Sequence, residues 1–510
     1  MPLQATPCYA ALLARDARFD GRWFVGVRTT GVYCRPICRV RTPKFEHCEF
    51  FERPAQAEAA GFRPCMKCRP ELAPRPQRWS TMDASQTLAH QALAWLQQPH
   101  DKAPTVAAWA AQLGVSARHL QRLLLRAYGV GPQQLIHTQR LLLAKQLLAD
   151  SGLPLEDVAA AAGFGSRRRL DAAVVAHYRV TPAQLRRAPR SALAGSPILP
   201  LAYRPPYAVQ ALLQFLAARA IPGVECVDVA ARRVQRSLRV LHQGQLISGV
   251  LQVHWPAPKA TAASGAHQVQ LQLDAALLGA AATVLPLVRQ WLDLDADPQA
   301  VATTLQAALP ADLCAPEGLR LPGCVDRFEL AVRAVLGQQV SVAAARTLAS
   351  RLVQCCATPL GAAAWAEAPS ITHGFPSPEQ LLAVGEDALV AQGILRQRAQ
   401  ALRSLAQAWP QLHYARGEGS VAQAQDQLCA LSGIGPWTAQ YMLMRGWSWP
   451  DQFLGGDLVL RRMLSPDPAK PLSAAALQRW STALAPYRSY AVMHTWHHAS
   501  AAATHPAAPR

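Results

Sequence analysis

The sequence predicts a multidomain α+β chain. It should hold a small cysteine-bearing domain, an all-α domain with a duplicated helix-turn-helix, an α+β segment and an all-α C-terminal half. Three observations lead there. The 510 residues exceed what one hydrophobic core organises, since domains run to roughly 150 residues each. Pro-rich stretches punctuate the chain, "PELAPRPQRWS" at 70–80 and "RRAPRSALAGSPILP" at 186–200. The hydrophobic period also changes, from helical before 190 to alternating after 200 and back to helical from about 317. The expected segments are 1–78, 82–190, 199–315 and 316–500, and "ASAAATHPAAPR" closes the chain in a frayed tail over 501–510.

Composition excludes several classes. A hydrophobic content of 51% is too high for global disorder. No run of about 18 uncharged apolar residues occurs, so no membrane partner is expected. The start, "MPLQATPCYAALLARD", has no basic stretch followed by an apolar one, which predicts a cytoplasmic location. In that reducing compartment twelve cysteines imply thiols or metal ligands, not a disulfide scaffold. Residues 1–190 hold 27 Lys and Arg against 13 Asp and Glu, most of the chain's net +19. Such a basic front half suits a polyanion, and nucleic acid is the obvious one, although a merely solvated basic surface has the same composition.

In the first segment, Cys34-x3-Cys38 and Cys65-x2-Cys68 lie 26 residues apart. That spacing fits a four-cysteine zinc site; two disulfides are the alternative, disfavoured in a reducing compartment. Cys8 and Cys48 fall outside the paired spacing. Four-thiolate zinc is commonly structural, yet its thiolates stay nucleophilic, so spacing alone leaves open whether one does chemistry. The stretch "VRTTGVYCRPICRVRTPKFEHCEFFERPAQAEAAGFRPCMKCRP" resembles the methyl-acceptor domain of the Ada family over nearly its whole length. The resemblance implies that Cys34 takes a methyl group from a DNA methylphosphotriester, while Cys38, Cys65 and Cys68 complete the metal site. It also implies DNA-backbone contacts at Thr30, Arg39, Arg41 and Arg63.

The second segment repeats one plan. "TVAAWAAQLGVSARHLQRLLLRAYGV" reads as a helix, a turn, and a second helix that Ser116 can cap. Leu120, Leu123 and Leu124 make that helix's inward face, leaving Arg118, His119, Gln121 and Arg122 outward. "LEDVAAAAGFGSRRRLDAAVVAHYRV" follows suit, with Arg167, Arg168 and Arg169 opening its second helix. A generic helical hairpin would share the apolar spacing but not the duplication, the turn chemistry or the basic outer faces. The segment resembles the paired helix-turn-helix domain of the AraC family over 104–187. That implies two major-groove readers on double-stranded DNA and, for an activator, RNA polymerase as partner. The second arginine run could equally clamp phosphates.

Alternating stretches such as "HQVQLQLDA" predict antiparallel strands between 201 and about 310. Beyond them come "FELAVRAVLGQQVSVAAARTLASRL", "LSGIGPWTAQYMLMRGW" and "DQFLGGDLVLRRML". A lone G-x-G turn between helices is weak evidence, but Gly433 and Gly435 could offer amide N–H groups to a phosphate. Taken together, the stretches resemble helix-hairpin-helix DNA glycosylases of the AlkA type from about 199 to 500. The fold class implied for this half is an α+β subdomain followed by an all-α helix-hairpin-helix glycosylase domain. Asp457 would be the catalytic carboxylate, although "GGDLVLRR" also suits a helix cap. Trp437, Tyr441 and Trp496 would line a pocket for a flipped-out base, Gln338 and Gln339 would form the turn that wedges the duplex, and the hairpin would hold a monovalent cation. Trp437 stands where lyases of the superfamily carry lysine, which implies a monofunctional enzyme releasing bases such as 3-methyladenine.

No P-C-H-R occurs, so the guanine-O6 acceptor domain of full-length Ada proteins is not expected. The implied protein joins an alkylation sensor and transcription activator to a glycosylase, acting in the cytoplasm on the nucleoid. Two other readings use the same residues: a regulator whose glycosylase half only grips DNA, and a glycosylase whose front half only anchors it.

Overall fold

The structure is a computed structural model and describes all residues except 1–2, 76–83, 187–195, 258–266, 315, 361–364, 366–367, 418, 468 and 505–510. Much of both Pro-rich stretches and most of the expected tail therefore lie outside the described residues. Two compact units form. One comprises Met1–Pro205, Val240–Arg289 and Leu294–Ala296; the other comprises Pro206–Arg239, Gln290–Asp293 and Asp297–Arg510. The α+β segment expected at 199–315 contributes to both.

The first unit opens with a four-stranded sheet of order β3-β1-β2-β4. Strands β1 (Phe24–Val27), β2 (Val32–Cys34) and β3 (Cys48–Phe51) are antiparallel, and β4 (Arg63–Pro64) joins β2 in parallel. The register sets Cys34 opposite Val25, at the end of β2. Trp23, Val25 and Leu12 pack around Cys34, Cys38 and Cys65, while Phe24, Tyr33, Ala57 and Phe62 form a second small cluster. Clusters this small rarely stabilise a domain alone, which is why a metal clip matters to this one.

The duplication is visible helix for helix, Val106–Gln112 answering to Leu155–Ala161, and the second helices repeat at an offset of 50 residues, from Ser116 to Ser166. The first reader helix, Ala117–Tyr128, is capped by Ser116 Oγ accepting from His119 N at 3.1 Å. The second, Arg167–Tyr178, is capped by Ser166 Oγ accepting from Arg169 N at 3.3 Å. Leu120, Leu124 and Tyr128 are buried in the first, and Leu170, Val174 and Tyr178 take the same places in the second. A 19-residue helix, Pro132–Asp150, joins them.

That joining helix is also bonded to the cysteine domain. Lys145 Nζ sits 2.5 Å from Glu71 Oε2, Arg69 Nε sits 2.8 Å from Glu71 Oε1, and Arg69 pairs with Asp150 at 2.6 Å. A second buried carboxylate, Glu58, accepts from the Tyr33 hydroxyl at 3.0 Å and from the Thr138 hydroxyl, with His177 Nε2 3.2 Å away. Each buried charge is met by an opposite charge or a hydroxyl donor, as a low-dielectric interior requires. Later in the same unit β5 (Ile198–Ala202), β9 (Gln268–Leu273) and β8 (Gln245–His254) pair antiparallel. The alternation anticipated in "HQVQLQLDA" is real: Val269, Leu271 and Leu273 are fully buried, and the glutamines between them are not.

In the second unit β6 (Glu225–Asp228) pairs with the start of β7 (Arg233–His242). Glu225 and Glu329 alternate with Arg236 and Arg333 in a closed ring of ion pairs, 2.5 to 2.7 Å each. This ring anchors the helix Arg327–Leu336. An all-α core follows, built on Phe328, Leu352, Leu402, Leu428 and Leu443. The last helix runs Arg488–Thr504, past the boundary expected for a frayed tail. Ala501, Ala502 and Ala503 are the strongest helix formers, so the helix propagates into residues read from sequence as loose.

Candidate functional site

Two candidate sites stand out, one in each unit. In the first, the Sγ atoms of Cys34, Cys38, Cys65 and Cys68 all lie within 4.8 Å of one another, and three of the four residues are buried. None is in a disulfide. Tetrahedral zinc with bonds near 2.3 Å would hold sulfurs about 3.8 Å apart, so this donor set fits the ion. Backbone amides support the sulfurs: Arg35 N lies 3.4 Å from Cys68 Sγ, and Lys67 N lies 3.3 Å from Cys65 Sγ. Cys8 packs nearby without joining the four, and burial pushes its thiol up. Cys48 donates to Lys44 O at 3.3 Å instead.

The surface around the cluster carries Thr30 in the β1–β2 turn, Arg39 and Arg41 after Cys38, and Arg63 at the start of β4, all exposed. Sequence reasoning missed Arg35. This neighbour of Cys34 is only 3% exposed, donates through Nε to Asp20 at 2.8 Å and through Nη1 to Cys68 O at 3.1 Å. Arg35 thus fixes the backbone on which Cys34 is displayed. Nothing in the sequence distinguishes it from the outward arginines around it.

Of the outward reader residues, Arg118, Gln121 and Arg122 are exposed and His119 is half-buried, with Arg122 Nη2 3.3 Å from His119 Nδ1. Arg167 and Arg168 are also exposed. Arg167, however, lies 3.0 Å from Glu156 and 3.6 Å from Asp171. The second reader therefore spends one of its cations on its own acids.

The second site surrounds a helical hairpin. Val421–Cys429 leads through Gly433 and Gly435 into Pro436–Gly446. Gly433 has φ +80°, and a Cβ there would come within 2.6 Å of Ala401 Cβ, so both torsion and space demand glycine. Asp457, 8% exposed, caps Leu458–Met463 through Oδ1, which accepts from Leu460 N at 3.0 Å. Its other contacts are indoles: Trp437 Nε1 donates to Oδ2 at 3.0 Å and Trp496 Nε1 approaches Oδ1 at 3.4 Å. Trp437 and Tyr441 stack with centroids 5.5 Å apart and planes 8° apart, and Tyr441 meets Trp496 at 6.1 Å. All four expected residues come together, and two of the aromatics reach Asp457 itself. They hold the carboxylate.

The two glutamines of the expected wedge turn do different jobs. Gln338 Nε2 donates to Gly433 O at 2.8 Å and Thr438 Oγ1 at 3.0 Å, bracing the hairpin, while Gln339 is exposed at the tip with φ +54°. A left-handed glutamine costs on the order of 1 kcal/mol. Gln339 alone of the two is exposed.

Paired helix-turn-helix motifs, a four-cysteine centre and a helix-hairpin-helix with a helix-capping aspartate define a multidomain DNA-repair and regulatory class. Family models agree segment by segment. Residues 7–71 match the metal binding domain of Ada, 109–188 a helix-turn-helix domain, 198–326 the AlkA N-terminal domain, and 332–467 the HhH-GPD superfamily of base excision DNA repair proteins. A Mycobacterium tuberculosis protein named "Probable bifunctional transcriptional activator/DNA repair enzyme AlkA" is 36% identical over 96% of this chain and 95% of its own. Escherichia coli DNA-3-methyladenine glycosylase 2 is 35% identical over 58% of this chain and 96% of its own. The E. coli bifunctional activator and repair enzyme Ada is 38% identical over 24% of this chain and 33% of its own. The chain belongs to the family of bifunctional transcriptional activator/DNA repair proteins that join an Ada-type front half to an AlkA-type glycosylase half. Among the described residues no helix is long and apolar enough to cross a membrane.

Proposed function

We propose that the protein senses and repairs DNA alkylation with two chemistries: a glycosylase centred on Asp457 and a single-turnover methyl acceptor centred on Cys34. The observation that carries this reading is the convergence of Trp437 and Trp496 on one buried carboxylate, with Tyr441 packed against both rings, in a chain that also gathers four cysteines.

In base release the N-glycosidic bond breaks with its electrons passing to the base, and positive charge develops on the sugar. Asp457, held by two indole donors, faces that charge and stabilises it. Water completes the sugar, leaving an intact abasic strand; Trp437 in place of a hairpin lysine argues against a Schiff base. The stacked rings receive the flipped base, and an N-alkylated purine such as 3-methyladenine is attracted through its positive charge. The exposed amides of Gly433 and Gly435 bind backbone phosphate, Gln339 fills the gap in the duplex, and hairpin carbonyls would hold a monovalent cation.

At the other site the Cys34 thiolate attacks the methyl carbon of a methylphosphotriester. An S–C bond forms, the C–O bond breaks, and its electron pair leaves on the phosphate oxygen as an ordinary phosphodiester. Bound zinc supplies the positive charge that keeps the thiolates ionised at neutral pH. Thr30, Arg39, Arg41 and Arg63 bind the flanking phosphates. Methylation removes one negative charge, so DNA phosphates repel the domain less and the two readers bind their promoter more tightly, with RNA polymerase as the partner of the activated form. The site of action is the cytoplasmic nucleoid. Incubating the protein with methylated duplex DNA, while scoring released bases and the mass of the Cys34 peptide, tests both halves. Methylated Cys34 without base release would leave the regulator alone standing.

A further inference from the structure

Gln339 is the exposed tip of the turn between the helices Arg327–Leu336 and Val342–Cys356, and its neighbour Gln338 is tied down by three partners. The Gln338 amide nitrogen donates to Gly433 O at 2.8 Å and to Thr438 Oγ1 at 3.0 Å. Its own backbone carbonyl accepts from Arg398 Nη2. Arg398 lies on the helix Arg396–Ala408, which also carries Ala401, the residue that leaves room only for glycine at 433. Thr438, 4% exposed, follows Trp437 in the first turn of Pro436–Gly446, and Trp437 holds Asp457. Three elements thus meet at one side chain: the tip, the glycine turn and the helix that carries a pocket ring. We infer that Gln338 is a positioning residue that fixes the Gln339 tip relative to the glycine turn and Trp437, so that tip and pocket act on the same nucleotide.

The inference rests on the glycosylase reading and deepens it. Extruding a paired base sacrifices stacking and pairing, and a side chain filling the vacated space offsets part of that loss. The offset is largest when the side chain is already in place, because ordering a loose turn at that moment would consume the gain. Gln339 has φ +54°, a torsion that a residue other than glycine keeps only when its surroundings impose it. Here they do. Gln338 is held through both its side chain and its carbonyl, and beyond the tip Ser341 Oγ accepts from Ala344 N at 3.2 Å to start the next helix. A carboxamide suits the task because its one NH2 group serves two acceptors at once, which an ionised glutamate or a methionine of the same length does not.

The test uses the full chain and duplex oligonucleotides in which 7-methylguanine is either paired with cytosine or placed in a single-nucleotide bulge, where it is already unpaired. Gln338→Met keeps the volume and loses both donated bonds. Its single-turnover rate of base release should fall roughly tenfold on the paired lesion and much less on the bulged one, since only the paired base has to be pried out. Arg398→Met, which frees the Gln338 carbonyl from the other side, should repeat that pattern more weakly. In a Gln339→Ala background Gln338→Met should cost nothing further, because the tip through which it acts is gone. Equal losses on paired and bulged lesions would mean a packing role alone and overturn the inference, as would losses that multiply in the double variant. Should Gln338→Met fail to fold, Arg398→Met with and without Gln339→Ala decides the matter by the same two criteria. Wild-type protein inert on both substrates would instead sink the glycosylase reading beneath it.

Discussion

Cys34 shares its surroundings with three other thiols inside 4.8 Å, whereas Asp457 is a lone carboxylate facing two indole N–H groups and a backbone amide. The first site concentrates negative charge that only a cation can offset; the second isolates one negative charge among aromatic rings. The difference bears on turnover. A thiolate that takes a methyl group is consumed, and its altered charge becomes the signal. A carboxylate that only stabilises a passing cation emerges unchanged and works again. The sites also differ in support: Cys34 sits on a short strand in a domain of small clusters, while Asp457 caps a helix whose Leu460 is fully buried and which packs against the last helix.

The largest effect that would sharpen this contrast is Cys34→Ala. Methyl uptake from phosphotriesters should vanish while base release stays at the wild-type rate, read by mass spectrometry and base chromatography on one sample. A methyl group acquired elsewhere in the domain would break the assignment. Asp457→Asn comes next. The amide keeps the cap to Leu460, so the fold should hold, and base release should fall by about 10²–10³ with DNA affinity nearly unchanged. Near-normal turnover would remove Asp457 from the chemistry and favour a C-terminal half that merely grips DNA.

A smaller effect concerns the switch. Protein methylated at Cys34 should bind promoter DNA several-fold more tightly than unmethylated protein, and the gap should narrow as salt rises. Equal affinities at every ionic strength would refute the electrostatic account. The smallest expected effect separates the two readers. Arg122→Ala should lower the salt slope of DNA binding by about one phosphate contact, and Arg167→Ala by less, because Glu156 and Asp171 already compete for Arg167. Equal slopes would mean that those surface pairs dissolve on DNA, as weak exposed pairs can.

Features set by near neighbours were legible in the residues alone. The two cysteine pairs, the Ser116 cap, the duplicated apolar faces and the glycine turn at 433–435 each depend on short spacings, and local spacing is what sequence periodicity records. Asp457 was open as catalyst or cap; the structure shows the cap, and Trp437 and Trp496 reach its carboxylate from 20 and 39 residues away. Gln338 and Gln339 are adjacent and chemically identical, so only the fold could make one a brace and the other an exposed tip. Similarly, no pattern marks Arg35 or Arg445 apart from the chain's many surface arginines. Their burial is decided by Asp20, 15 residues from Arg35, and by the Gly323 carbonyl, 122 residues from Arg445. The sequence by itself determined which residue types were available and how each short segment would cap, turn and alternate, because those preferences are paid within a few residues. Tertiary structure alone decided which charges are buried and whom they meet, because desolvation depends on everything that packs around a group, however distant along the chain.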